Sequence, residues 1–194
     1  MTRIAIWISM LSLCRFNASL DLISVPLVLV RKSDDVAVGV LRILPYPLPQ
    51  GKEHYYPAAT LDSDVLPGTG RTEADMQEYF AAQQRVVETS PQTVLSGGKI
   101  GRVAVSKDMR GQGCGRMLVL AAEAWMAHAV RDAPAARGAP HVVVRSSLSA
   151  QVVARAFYDN LGYKPSGDVY LEAGEPHIFY SKRVLVRPVD AAVQ

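Results

Sequence analysis

Residues 103–116 of this 194-residue chain read VAVSKDMRGQGCGR. A β-branched, alternating run enters three glycines at alternate positions, Gly111, Gly113 and Gly115, and an Ala-, Leu- and Met-rich stretch follows at once. The start of a helix carries unbonded N–H groups and partial positive charge. Glycines let an anion approach that backbone without a β-carbon in the way, and their positive φ lets successive N–H groups converge. Arg110 and Arg116 can add charge to the same anion. The chemistry that suits this spacing is the holding of a pyrophosphate. A plain glycine-rich turn fits the glycines equally well on spacing alone. Rival phosphate motifs fit less well. No Gly-Lys-Ser/Thr run exists for a Walker loop, and the glycines at 111, 113 and 115 are offset from the G-x-G-x-x-G spacing of a dinucleotide fingerprint. Asp132, at the distance expected for that motif's acid, falls in a loop reading.

The elements that must position this loop are legible around it. Two apolar runs in 27–44, about the turn 32–35, predict a β-hairpin. Residues 45–98 hold six of the twelve prolines and predict mostly loop. Within them Thr72-Glu73-Ala74-Asp75 reads as a helix start, and Met76, Tyr79, Phe80, Val86 and Val87 predict a helix over about 73–89. After Gly98 the pattern alternates: a strand at 99–106, a helix at 116–130, a loop at 131–140 and a strand at 141–145. A helix at 151–161 stopped by Gly162 then precedes strands at 169–171 and 178–186. The order predicts an α/β layer with at least one parallel crossover.

Composition narrows the classes. Lys+Arg is 21 and Asp+Glu 18, a net charge of +3 that gives no case for nucleic-acid binding. The charge is lopsided: residues 1–98 carry 8 basic and 10 acidic groups, residues 99–194 carry 13 and 8. The second half is therefore the better place for an anion. Cys14 and Cys114 form no disulfide framework, and four scattered histidines have no ligand spacing, so no metal is expected. Arg3 and the apolar run 4–14 could be a signal-peptide core. Phe16 sits where a small residue is wanted, and a buried strand or helix is the favoured reading. No segment is expected to span a membrane.

Two ordered motifs resemble the GNAT superfamily of N-acetyltransferases. Val103–Ser106 with Arg110-Gly111-Gln112-Gly113-Cys114-Gly115 resembles its acetyl-CoA signature, with Arg110, Gly113 and Gly115 at the first, fourth and sixth positions. Gln151–Tyr163, ending FYDNLGY, resembles its second signature. The stretch 170–178 is similar to the Y-E-x-G-x-P-H-I tail of ElaA-type members. The resemblance covers 36–44 loosely and 99–184 well. It implies one domain over 1–194 with a proline-rich insertion at 45–98. The implied fold is a mixed, mostly antiparallel α/β (α+β) sheet of about six to seven strands, flanked by helices and splayed at the acetyl-CoA site.

By the same resemblance, acetyl-CoA is the cosubstrate and a small-molecule or protein amine the acceptor. Cofactor contacts fall to Val103, Ala104, Val105, Arg110, Gly111, Gln112, Gly113, Cys114, Gly115, Arg116 and Gln151. Tyr158 is the implied general acid for the CoA sulfur, since a phenol can protonate an alkanethiolate. A backbone N–H on 103–105 would polarise the thioester carbonyl. Cys114 reads as a packing residue. Glu123 and His128 are expected to be solvated, and Glu172, Glu175 and His177 to be turn or surface residues rather than a base. A cytoplasmic location and a homodimer are compatible expectations. The alternative function is a non-catalytic acyl-CoA-binding regulatory module.

Overall fold

A computed structural model describes residues 4–8, 23–49 and 72–186. Eight strands form one sheet: β1 (Ile4–Ile8), β2 (Val25–Arg31), β3 (Val36–Pro45), β4 (Val86–Glu88), β5 (Thr93–Val105), β6 (Val142–Gln151), β7 (Lys164–Glu172) and β8 (Glu175–Val186). Among the described residues three α-helices accompany them: α1 (Glu73–Ala82), α2 (Cys114–Ala129) and α3 (Arg155–Asp159). A seven-strand path runs β1-β2-β3-β5-β6-β8-β7, and β4 pairs with β5 beside it. Among the described strands only β5 and β6 pair in parallel. The crossover between them contains α2, as a parallel pair requires.

Alternation builds the core. Leu27 and Leu29 of β2, Leu41 and Ile43 of β3, Ile100 of β5 and Leu148 of β6 are essentially inaccessible and share one cluster. Helix α2 closes that cluster with Leu118, Val119, Ala122 and Met126, one stripe at helical spacing. Each large aliphatic side chain so buried contributes roughly 1.5–3 kcal/mol. Helix α1 joins through Met76 and Phe80, and the Phe80 ring meets Trp125 edge-on at 5.3 Å. Its start is the capping box read in the sequence: the Thr72 hydroxyl accepts from the Asp75 N–H, and the Asp75 carboxylate accepts from the Thr72 N–H.

Several boundaries differ from the sequence reading. The 73–89 helix ends at Ala82, and Val86 and Val87 lie on β4. Strand β5 begins at Thr93 rather than Lys99, so Gly97 and Gly98 are strand residues. The cause is a bulge: two residues, Ser96 and Gly97, oppose Arg145 between the pairs Leu95↔Val144 and Gly98↔Ser146. Buried Gln84 fills it. Its side-chain carbonyl accepts from the Gly97 N–H at 2.7 Å, and its amide donates to the Phe80 carbonyl at 2.9 Å. Most of the proline-rich segment that is described is thus helix and sheet. Helix α2 starts two residues earlier than read, and β6 reaches Gln151. The 151–161 helix is a 3-10 turn at Val152–Ala154 followed by α3. At the N-terminus, Ile4–Ile8 is strand, paired antiparallel with β2, and the remainder of the apolar run lies outside the described residues.

Candidate functional site: a split sheet beside a glycine loop

The parallel ladder stops short. Its last pair is Ile100↔Leu148, yet β5 continues to Val105 along β3 and β6 continues to Gln151 along β8. The two strands therefore part, with residues 101–105 on one wall and 149–151 on the other. A second bulge reshapes the first wall. The β3–β5 register slips between Val40↔Ala104 and Arg42↔Gly101, and Arg102 has φ 53°. Bulges re-aim backbone groups next to functional sites. Val103 and Val105 are half-buried and pack towards the α2 side, while Ala104 is exposed.

The glycine loop stands at the open end. A 3-10 turn, Lys107–Met109, leads from β5 into it, and α2 begins at Cys114. Gly113 is the N-cap at φ 81°, ψ 1°, a conformation that costs any residue with a β-carbon. Among the described residues no side chain caps this helix, and its first turn contains no acid. Its free N–H groups are thus left for an outside acceptor, as an anion site requires. Arg116 is exposed on that first turn. Arg110 is exposed too, and its Nε donates to the Val105 carbonyl at 3.2 Å, which ties the loop to the end of β5. Gln112 Nε2 donates to the Asp108 carbonyl at 2.9 Å. The nearby Asp108 carboxylate accepts from Arg31 at 3.2 Å, so its charge does not face the loop uncompensated. Cys114 is buried and faces the core, and Gly111 is exposed.

The second motif meets the first directly. A β-carbon on Gly115 would lie 3.2 Å from Phe157 Cζ and 4.0 Å from Val105 Cγ2. Phe157 thereby brings α3 against the start of α2. The next residue, Tyr158, is 7% exposed, and its ring lies 4.9 Å from Phe157, 6.0 Å from Tyr163 and 6.1 Å from Tyr180. Burial pushes its phenol pKa up. The phenol stays protonated to higher pH, the form a proton donor needs. Among the described residues its hydroxyl has no hydrogen-bond partner. Gln151 is exposed at the end of β6, opposite His177 in the β6–β8 ladder, and no described contact joins it to the loop.

Behind Tyr158 lies a polar network that the sequence reading missed. Glu123 is buried rather than solvated, and Lys182 donates to both its oxygens at 3.0 and 2.7 Å. The Lys182 ammonium lies 5.6 Å from the centre of the Tyr163 ring, and the Tyr163 hydroxyl shares a 2.6 Å bond with Ser146. Burial and the Glu123 carboxylate both push the Tyr163 phenol pKa strongly up. The signal for Glu123 was present: it occupies the same stripe as Val119, Ala122 and Met126. Its partner, 59 residues away, left no local trace. His128 is exposed, as read. Among the described residues no group of His, Cys, Asp and Glu could hold a metal, and no helix is long and apolar enough to cross a membrane.

The family described as the acetyltransferase (GNAT) domain matches residues 68–165, and the chain belongs to that family. A UPF0039 protein of Schizosaccharomyces pombe is 34% identical over 99 residues, which are 51% of this chain and 57% of the relative. The match thus spans a little over half of that relative's length. Among solved structures, Escherichia coli ElaA is similar with a TM-score of 0.46 and 19% identity, over 82% of this chain and 67% of that one. An acyl-CoA N-acyltransferase from Pseudomonas aeruginosa is similar with a TM-score of 0.42 and 22% identity, over 82% and 68%.

Proposed function

We propose that this protein transfers the acetyl group of acetyl-CoA to a primary amine by direct attack within a ternary complex. The observation that carries the reading is the parting of β5 and β6 beyond Ile100↔Leu148, with the uncapped start of α2 at its mouth. The α2 N–H groups, Arg110 and Arg116 would hold the pyrophosphate. Val103, Ala104 and Val105 would line the acyl arm, and a backbone N–H of that strand would polarise the carbonyl. Gly111, Gln112, Gly113, Cys114 and Gly115 contribute backbone to the same cradle, and Gln151 is assigned a contact on the opposite wall.

In the transfer, the amine lone pair forms a C–N bond to the thioester carbon and the C–S bond breaks. The departing sulfur takes a proton from Tyr158. Of the two protons an ammonium loses, one replaces that of Tyr158 and one goes to solvent. Burial supports this role, because a phenol with a raised pKa remains a donor where a free one would ionise. The tail at 170–178 fits an ElaA-like member, and the acceptor class is left at primary amines. One domain over 1–194 and a cytoplasmic location, where acetyl-CoA is made available, complete the reading.

The test is to incubate the protein with acetyl-CoA and a panel of amines and to follow free thiol. Amine-dependent thiol release supports the enzyme. Tight CoA binding with no release for any amine would leave a binding module instead.

A further inference from the structure

We propose that His177 is the general base that takes a proton from the acceptor ammonium, working from the face of the sheet opposite Tyr158; this rests on the acetyl-transfer reading above. Side chains alternate along β8. Ile178 and Tyr180 point into the cluster beneath α2, and Tyr180 lies beside Tyr158. His177 and Phe179 therefore point to the other face. His177 is opposite Gln151 in the ladder, three residues past the last β5–β6 pair. It lies on β8, one strand behind the β6 wall of the split, and its side chain shares a face with that of Gln151 on the wall itself.

The imidazole is held. Its Nδ1 lies 2.8 Å from the Glu175 carbonyl oxygen. A carbonyl only accepts, so Nδ1 carries the proton, and in the neutral ring Nε2 keeps the free lone pair. The ring stacks on Tyr170, with centroids 6.4 Å apart and planes at 28°. Tyr170 is in turn fixed by a hydrogen bond between its hydroxyl and Ser149, on the β6 side of the split. An oriented base with its tautomer set by the far nitrogen is the arrangement proton abstraction needs. Among the described residues, the titratable groups around the ring are Tyr170 of β7 and Glu172 and Glu175 at the hairpin end, both exposed; its β6 neighbour Gln151 is uncharged.

The proton balance closes with the earlier step. One ammonium proton passes to Nε2 and then to solvent. The second leaves the tetrahedral adduct as the C–S bond breaks, and replaces the proton Tyr158 gives to sulfur.

The experiment compares two acceptors in wild type and His177→Asn. Asparagine can keep the donor to the Glu175 carbonyl while removing the Nε2 acceptor. One acceptor is the best alkylamine from spermidine, ethanolamine and benzylamine. The other is hydroxylamine, which is already uncharged at neutral pH and needs no base. The expected result is a loss of about 100-fold or more in kcat/KM for the alkylamine. Hydroxylamine transfer and acetyl-CoA affinity should stay within a few-fold of wild type. The variant's alkylamine rate should climb with pH towards the amine's own ionisation, where wild type has already levelled off. Added imidazole should restore part of the alkylamine rate to His177→Ala. Equal losses with both acceptors, or no loss, would overturn the proposal alone. No transfer by wild type to any amine would overturn it together with the acetyl-transfer reading.

Discussion

The Phe157 ring stands against the Gly115 backbone, 3.2 Å from where a β-carbon would sit. The contact joins two motifs through residues 42 positions apart, and it sets Tyr158 next to the loop that would hold the cofactor. It also gives Gly115 a reason different from that of Gly113. Gly113 is needed for its left-handed backbone, Gly115 for the space above it.

Gly115→Val should overpack this contact and destabilise the protein by about 1–3 kcal/mol in urea denaturation. Gly115→Ala should be milder, because a gain in helix propensity of about 1 kcal/mol offsets the crowding. Adding Phe157→Ala to Gly115→Val should recover stability, with a coupling of at least ~0.5 kcal/mol. Strictly additive losses would mean that the ring is not what Gly115 accommodates.

Gly113→Asp should lower acetyl-CoA affinity at least tenfold by calorimetry. It combines strain at φ 81° with a carboxylate where the phosphates belong. Arg116→Gln should weaken binding less and reduce its dependence on salt, since the guanidinium is exposed. Affinity unaffected by Gly113→Asp would remove the loop from the cofactor site.

Lys182→Met alone should cost about 3–5 kcal/mol, because it leaves the Glu123 carboxylate buried without its partner. Glu123→Leu added to it should return most of that loss, an apolar pair replacing a buried ionic one. Chemical denaturation of the three variants measures both. If the single variant is near neutral, water already reaches Glu123.

Tyr158 and Tyr163 both have phenol pKa values raised by the fold, so each favours its neutral form in the native state. That contribution is complete below the unfolded phenol value of about 10 and is lost as pH rises above it. Stability should therefore fall across the alkaline range, and Tyr163→Phe should flatten the fall. A stability profile that is level above pH 10 would contradict their burial.

The loop, the helix behind it and the FYDNLGY run were legible because each is local: glycine spacing, apolar periodicity and a compact motif. The glycine pair at 97–98 misled, since a bulge inside a strand presents the same residues as a turn, and only Gln84, docking from 13 positions away, distinguishes them. Val86 and Val87 continue a helical period by chance, but β-branched residues also suit the short strand that β5 offers them. Glu123 and His177 were read as surface groups because their partners, Lys182 and Tyr170, come from other strands. The splitting of the sheet leaves no mark in composition. It follows from where the β5–β6 ladder stops.

The central claim is that this split delivers acetyl-CoA to Tyr158 for protonation of its sulfur. Steady-state thiol release by Tyr158→Phe, with acetyl-CoA affinity measured in parallel, tests it most directly. A fall in kcat of about 10²–10⁴-fold with unchanged acetyl-CoA affinity is the predicted result. A kcat within a few-fold of wild type would contradict the account, and Tyr158 would then be only one more aromatic side chain in the core.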